Sequence, residues 1–155
     1  MIDTPQIVQT EPQLMAYIHI TIPRENIREV MGPGLADIHA ALAAQGIAAS
    51  GPWLTHHLHQ PTDIFDFEIC VPVKQKVAPA GRVKAGNWPT VTVARTVYRG
   101  PYEALGVGWG EFQAWIADNG YEAAVDLWER YLSGPESGSD PSQYRTELNR
   151  PVIRK

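Results

Sequence analysis

Along the chain, apolar and polar positions repeat one plan twice. Met15 to Ile22 concentrates β-branched and aromatic residues and stops at Pro23, which predicts a strand. The stretch GPGLADIHAALAAQG follows, with Pro33 suited to a helix start, Gly46 to a helix stop, and Leu35, Ile38 and Leu42 on one apolar stripe. Trp53 to His59 and Ile64 to Val73 read as two strands joined by the turn residues Gln60 to Asp63. The segment KQKVAPAGRVKAGNWP reads as a surface connection.

The plan then restarts. Val91 to Tyr98 predicts a strand, RGPYEALG leads into a helix, and GWGEFQAWIADNG ends at Gly120 as the first helix ends at Gly46. Trp109, Phe112, Ile116 and Gly120 each lie 74 positions after Leu35, Ile38, Leu42 and Gly46. Leu127 to Leu132 is a further strand, SGPESGSDPSQ a polar loop, and YRTELNRPV a last strand that repeats the FDFEICVPV of residues 65 to 73. The fold class is α+β. Two strand-helix-strand-strand units, roughly 12–75 and 88–153 within a single domain 1–155, build an antiparallel sheet with helices on one face.

At 155 residues, with 44% hydrophobic and 19% charged positions, the chain can bury a core without disulfides or metals. The net charge of −4, with no basic run, argues against direct nucleic-acid binding. A lone Cys70 fits a reducing compartment, and neither a signal peptide nor an apolar run of membrane-spanning length is evident, so a cytoplasmic location is expected. No cofactor is implied. Exposed sheet edges are compatible with a monomer or a homodimer.

Strand alternation supplies the candidate chemistry. In the last strand Leu148 should pack on the helices, which sends Glu147 to the opposite sheet face, with Glu68 equivalent in the first copy. On the neighbouring strand Trp128 and Arg130 alternate with Glu129 and Tyr131. Trp53, His56 and His57, together with Tyr17, Tyr98 and Tyr102, are further candidates for that face, and five Trp and six Tyr are enough to line a groove. A carboxylate among aromatics suits a planar cation, and desolvation would turn it into an acid near neutral pH. Trp109 and Phe112 sit on the repeated stripe and are assigned to the core. Arg145 is a same-face partner for Glu147. His56, His57 and His59 lack completing ligands, so no metal is expected. Gly106, Gly108 and Gly110 are spaced wrongly for a phosphate loop and read instead as close packing at the helix start. Cys70 lies in an apolar run where a thiol is inert.

The stretches THHLHQPTDIFDFEICVPV, VYRGPYEALGVGWGEFQAWIADNG and WERYLSGPESGSDPSQYRTELNRPV resemble the gyrase-inhibitor-like (GyrI-like) small-molecule-binding family. That family also forms the effector-binding half of multidrug-sensing bacterial transcription regulators of the AraC and MerR classes. The resemblance implies a ligand groove at a pseudo-twofold axis, with Glu147 as its acidic floor and Tyr131 as the matching tyrosine. In the first copy the corresponding aromatic position falls on His56 or His57. With no DNA-binding segment ahead of the domain, a standalone member is expected. The ligand-binding set is therefore Glu147, Tyr131, Tyr17, His56, His57, Trp53, Trp128 and Tyr102. Three roles follow: capture of aromatic, often cationic, lipophilic compounds; hydrolysis of cyclopropane-containing genotoxic compounds, with Glu147 and Tyr131 as the catalytic pair; and inhibition of DNA gyrase by protein contact.

Overall fold

A computed structural model describes residues 1–60, 62–133 and 140–155. Most of the expected loop SGPESGSDPSQ, and Pro61 of the expected turn Gln60 to Asp63, lie outside the described residues. In chain order the first unit's elements and their lead-in are β1 (Gln6–Gln9), β2 (Gln13–Pro23), α1 (Ile27–Ala44), β3 (Leu54–His57), β4 (Ile64–Val73) and β5 (Lys84–Trp88). They are followed by β6 (Thr92–Arg99), α2 (Leu105–Asp118), β7 (Tyr121–Ala123), β8 (Leu127–Ser133) and β9 (Arg145–Arg154). The chain divides into two compact units, Glu11–Thr90 and Met1–Thr10 with Val91–Lys155. Both are α+β, with antiparallel strands and a helix on one face.

In the Glu11–Thr90 unit the strand order is β3-β4-β2-β5. Alternate residues Ala16, Ile18 and Ile20 of β2 and Phe67, Ile69, Val71 and Val73 of β4 face α1, where Ile38, Ala41 and Leu42 close the core. The helix begins at Ile27, a turn and a half before the expected start at Pro33. Ile27, Val30, Met31 and Leu35 continue the stripe backwards and pack on the core. That burial outweighs the one bond Pro33 cannot donate, to the Glu29 carbonyl. Gly46, at φ 67°, ends the helix as expected. The expected surface connection is structured instead. Val77 and Val83 are buried, and Lys84–Trp88 pairs with the start of β2, because two spaced valines and a short strand were masked by Lys, Pro and Gly.

In the other unit the order is β1-β6-β9-β8, with β7 on the far end of β9. Neither β1 nor β7 was expected; both are short edge pieces. Ala94 and Tyr98 of β6 and Leu148 and Val152 of β9 meet Phe112 and Ile116 of α2 in the core. The Gly106, Gly108 and Gly110 series lies on α2, and Gly108 is where the helix meets Tyr98: a Cβ there would sit 2.7 Å from the ring.

Candidate functional site

Strand register fixes which side chains share a face. Leu148, in the α2 core, pairs with Thr96 and Glu129, while Glu147 pairs with Val97 and Arg130. Glu129 and Tyr131 therefore stand on the helix side of the unit, and Glu147, Asn149, Trp128 and Arg130 on the other.

On the helix side, the indole N–H of Trp109 donates to Glu129 Oε2 at 2.7 Å and the Tyr131 hydroxyl donates to Oε1 at 2.9 Å. Trp109 comes from the apolar stripe of α2, in its second turn, so the helix that packs the core also supplies a polar tip. The Tyr102 ring stands edge-on to Tyr131 at 6.2 Å and tilts over Tyr144 at 5.2 Å. Desolvation pushes the Glu129 carboxyl above its ordinary value, and the two hydrogen bonds only partly offset this. No Lys, Arg or His of the described residues balances its charge. The result is a partly buried carboxyl held by neutral donors and walled by aromatic rings. It can attract a cation when ionised or give up a proton when neutral.

Glu147 is differently placed. It accepts from Asn149 Nδ2 at 3.0 Å and lies 3.4 Å from Arg95 Nε and 3.8 Å from Arg130 Nε. Arg145, the partner expected from sequence, makes no contact with it. A cationic ligand would have to compete with two guanidiniums already at this carboxylate, so the expected Glu147–Tyr131 pairing is corrected: period-2 alternation puts the two on opposite faces.

The remaining expected residues are likewise divided. Tyr102 joins Tyr131 on the helix side, whereas Trp128 lies with Glu147. In the Glu11–Thr90 unit, Trp53 packs on the α1 core, and His57, opposite Phe67, stacks on that ring at 5.4 Å and meets Phe65 edge-on. Burial, then the charges of His56 and His59, push the His57 pKa down to about 4. His56 turns the other way, its Nδ1 3.0 Å from Glu68 Oε1 and its ring edge-on to Trp88. Tyr17 shares that outer face. His59 lies beyond β3, which ends at His57, and reaches Asp66, which His19 and Thr21 also hold. Among the described residues no group of three or more His, Cys, Asp or Glu is placed to hold a metal. Cys70 is buried, which pushes its thiol up and leaves it unreactive.

Glu129 stands outside the candidate set expected from sequence. The signal was present in E-x-Y spacing, which places Glu129 beside Tyr131, and in Trp109, whose stripe position implied contact with that face.

A family model, GyrI-like small molecule binding domain, matches residues 3–153. A comparison with curated protein sequences returns no match. The EcmrR C-terminal domain superposes with a TM-score of 0.88 at 18% identity, over 98% of this chain and 98% of that one. In the EcmrR–DNA complex, 98% of this chain covers only 58% of the EcmrR chain, with a TM-score of 0.85 at 18% identity. A hydrolase from Listeria innocua (TM-score 0.69, 14% identity, 96% and 91% covered) and SAV2435 bound to tetraphenylphosphonium (0.65, 14%, 97% and 94%) share the fold. Among the described residues no helix is long and apolar enough to cross a membrane.

Proposed function

Because the chain belongs to the GyrI-like small-molecule-binding domain family, we propose that it captures aromatic, lipophilic cations at the helix-side cluster of Glu129, Tyr131, Trp109 and Tyr102. The observation that carries this reading is the Glu129 carboxyl, which has hydrogen-bond donors but no countercharge among the described residues. Desolvated charge without a partner is costly, and a bound cation removes that cost while its rings lie on Tyr131 and Tyr102. A cation about 5 Å from the carboxylate at an effective dielectric near 20 gains roughly 3 kcal/mol, about a hundredfold in affinity. SAV2435 supplies a suitable probe, tetraphenylphosphonium. Titration calorimetry should show saturable binding that weakens at least tenfold in Glu129→Gln and is unchanged in Glu147→Gln. Equal loss in both variants, or none in the first, contradicts the assignment.

A second reading rests on the same carboxyl. A raised proton affinity beside the Tyr131 hydroxyl suits a general acid. Glu129 would protonate one carbon of a strained cyclopropane as the ring bond breaks, and water would add to the other carbon and return a proton to the carboxylate. Mass spectrometry of a cyclopropane-containing alkylator incubated with the protein should then show the addition of one water, lost in Glu129→Gln. Unaltered substrate leaves capture as the function.

A further inference from the structure

The face of β6, β9 and β8 turned away from α2 concentrates guanidinium groups in a protein of net charge −4. Arg95 and Arg130 converge on one oxygen of Glu147, at 3.4 and 3.8 Å. Arg95 Nε also donates to Asn149 Oδ1 at 2.7 Å. Arg99 stands directly opposite Arg145 on the neighbouring strand, and Arg145 lies two residues from Glu147 on the same face. Asp3 takes Arg99 through both carboxylate oxygens, at 3.1 and 3.2 Å.

Charge does not balance among the described residues of this face. Among the described residues, with Arg99 matched by Asp3, the single carboxylate of Glu147 stands against Arg95, Arg130 and Arg145, an excess of two positive charges. Like charges on adjacent strands are destabilising, so the arrangement has a cost unless something offsets it. Hydrogen-bonding capacity is also unspent. Among the described residues the Nη groups of Arg95 and Arg130 have no partner, the exposed Arg145 side chain makes no hydrogen bond, and the buried Nε–H of Arg130 donates to no acceptor within hydrogen-bond distance. Arg95 and Arg130 are each about a third exposed, with side-chain values of 30% and 28%, so their forks reach solvent.

We propose that this face is an oxoanion site that takes the phosphate group of a small phosphorylated compound. Planar guanidinium forks bind phosphate oxygens in pairs, and a phosphate monoester carries about −1.5 to −2 charge at neutral pH, which matches the excess. Arg95 and Arg130 clasp the phosphate from two sides, Arg145 faces its outer oxygens, and Asn149, which accepts from Arg95 Nε, orients that guanidinium. The site lies on the opposite side of the same strands from Glu129, so it does not depend on the capture reading.

The test is titration calorimetry with inorganic phosphate at fixed ionic strength, with chloride as the balancing salt and succinate as a second probe. Phosphate should bind saturably where chloride does not. Arg145→Ser, which breaks no contact in the fold, should weaken binding severalfold. Glu147→Gln, which removes the competing carboxylate, should tighten it by about tenfold. Phosphate heats no larger than those of chloride would overturn the proposal, as would unchanged affinity in both variants. Succinate binding more tightly than phosphate would overturn the phosphate assignment.

Discussion

Replacing Trp109 with Phe tests the Glu129 cluster through stability alone, without any ligand. The substitution leaves an aromatic ring against Phe112, 5.7 Å away, but removes the indole N–H that reaches Glu129 Oε2 at 2.7 Å. A hydrogen bond to an ionised group contributes about 1.5–3 kcal/mol, and one between neutral groups about 0.5–1.5 kcal/mol. In the Glu129→Gln background Trp109→Phe should therefore cost about 1–1.5 kcal/mol less than in the native protein, after the shared loss of ring area cancels. Urea unfolding of the native protein, both single variants and the double variant gives this coupling directly. The carboxyl's pKa is raised by desolvation, so the folded state holds its proton above the ordinary 4.5 and stability falls as pH rises through that window. Glu129→Gln should flatten that decline, and the coupling with Trp109 should shrink below pH 4.5, where both states are protonated. Additivity of the two substitutions to within about 0.3–0.5 kcal/mol well above that pH would refute the charge-assisted bond.

Two further outcomes are expected. His57, with a folded pKa lowered from 6.5 to about 4, takes up a proton on unfolding, so its contribution is present above pH 6.5 and is lost as pH falls toward 4; the loss is about 3 kcal/mol at most, and His57→Phe, which keeps the stack on Phe67, should remove that limb of an acid-unfolding curve. Gly108→Ala should destabilise by about 1–3 kcal/mol in thermal melts despite alanine's better helix propensity, because the new Cβ would stand 2.7 Å from Tyr98 Cδ1.

Much of this architecture was legible because duplication wrote it twice. Leu35, Ile38 and Leu42, repeated as Trp109, Phe112 and Ile116, marked both helices, and Gly46 and Gly120 marked both ends. What composition hid was short or locally contrary. Pro33 signalled a start that the apolar residues Ile27, Val30 and Met31 overrode, and Lys84–Trp88 carries too little β-branched content to announce a strand. The proposed site was half legible. Tyr131 and Tyr102 were named, and alternation alone separates Glu147 from Tyr131. Choosing between Glu129 and Glu147 needed cross-strand partners, since a carboxylate beside Arg95 and Arg130 and one beside Trp109 and Tyr131 look alike in one dimension.

The central claim is that Glu129 is a desolvated carboxyl awaiting a cation. Carbon-detected NMR of the Glu129 δ-carboxyl through a pH titration, with and without saturating tetraphenylphosphonium, measures it directly. The account predicts a midpoint above the ordinary 4.5 in the free protein and a lower one when the cation is bound. A midpoint at or below that value, unmoved by the cation, would contradict it.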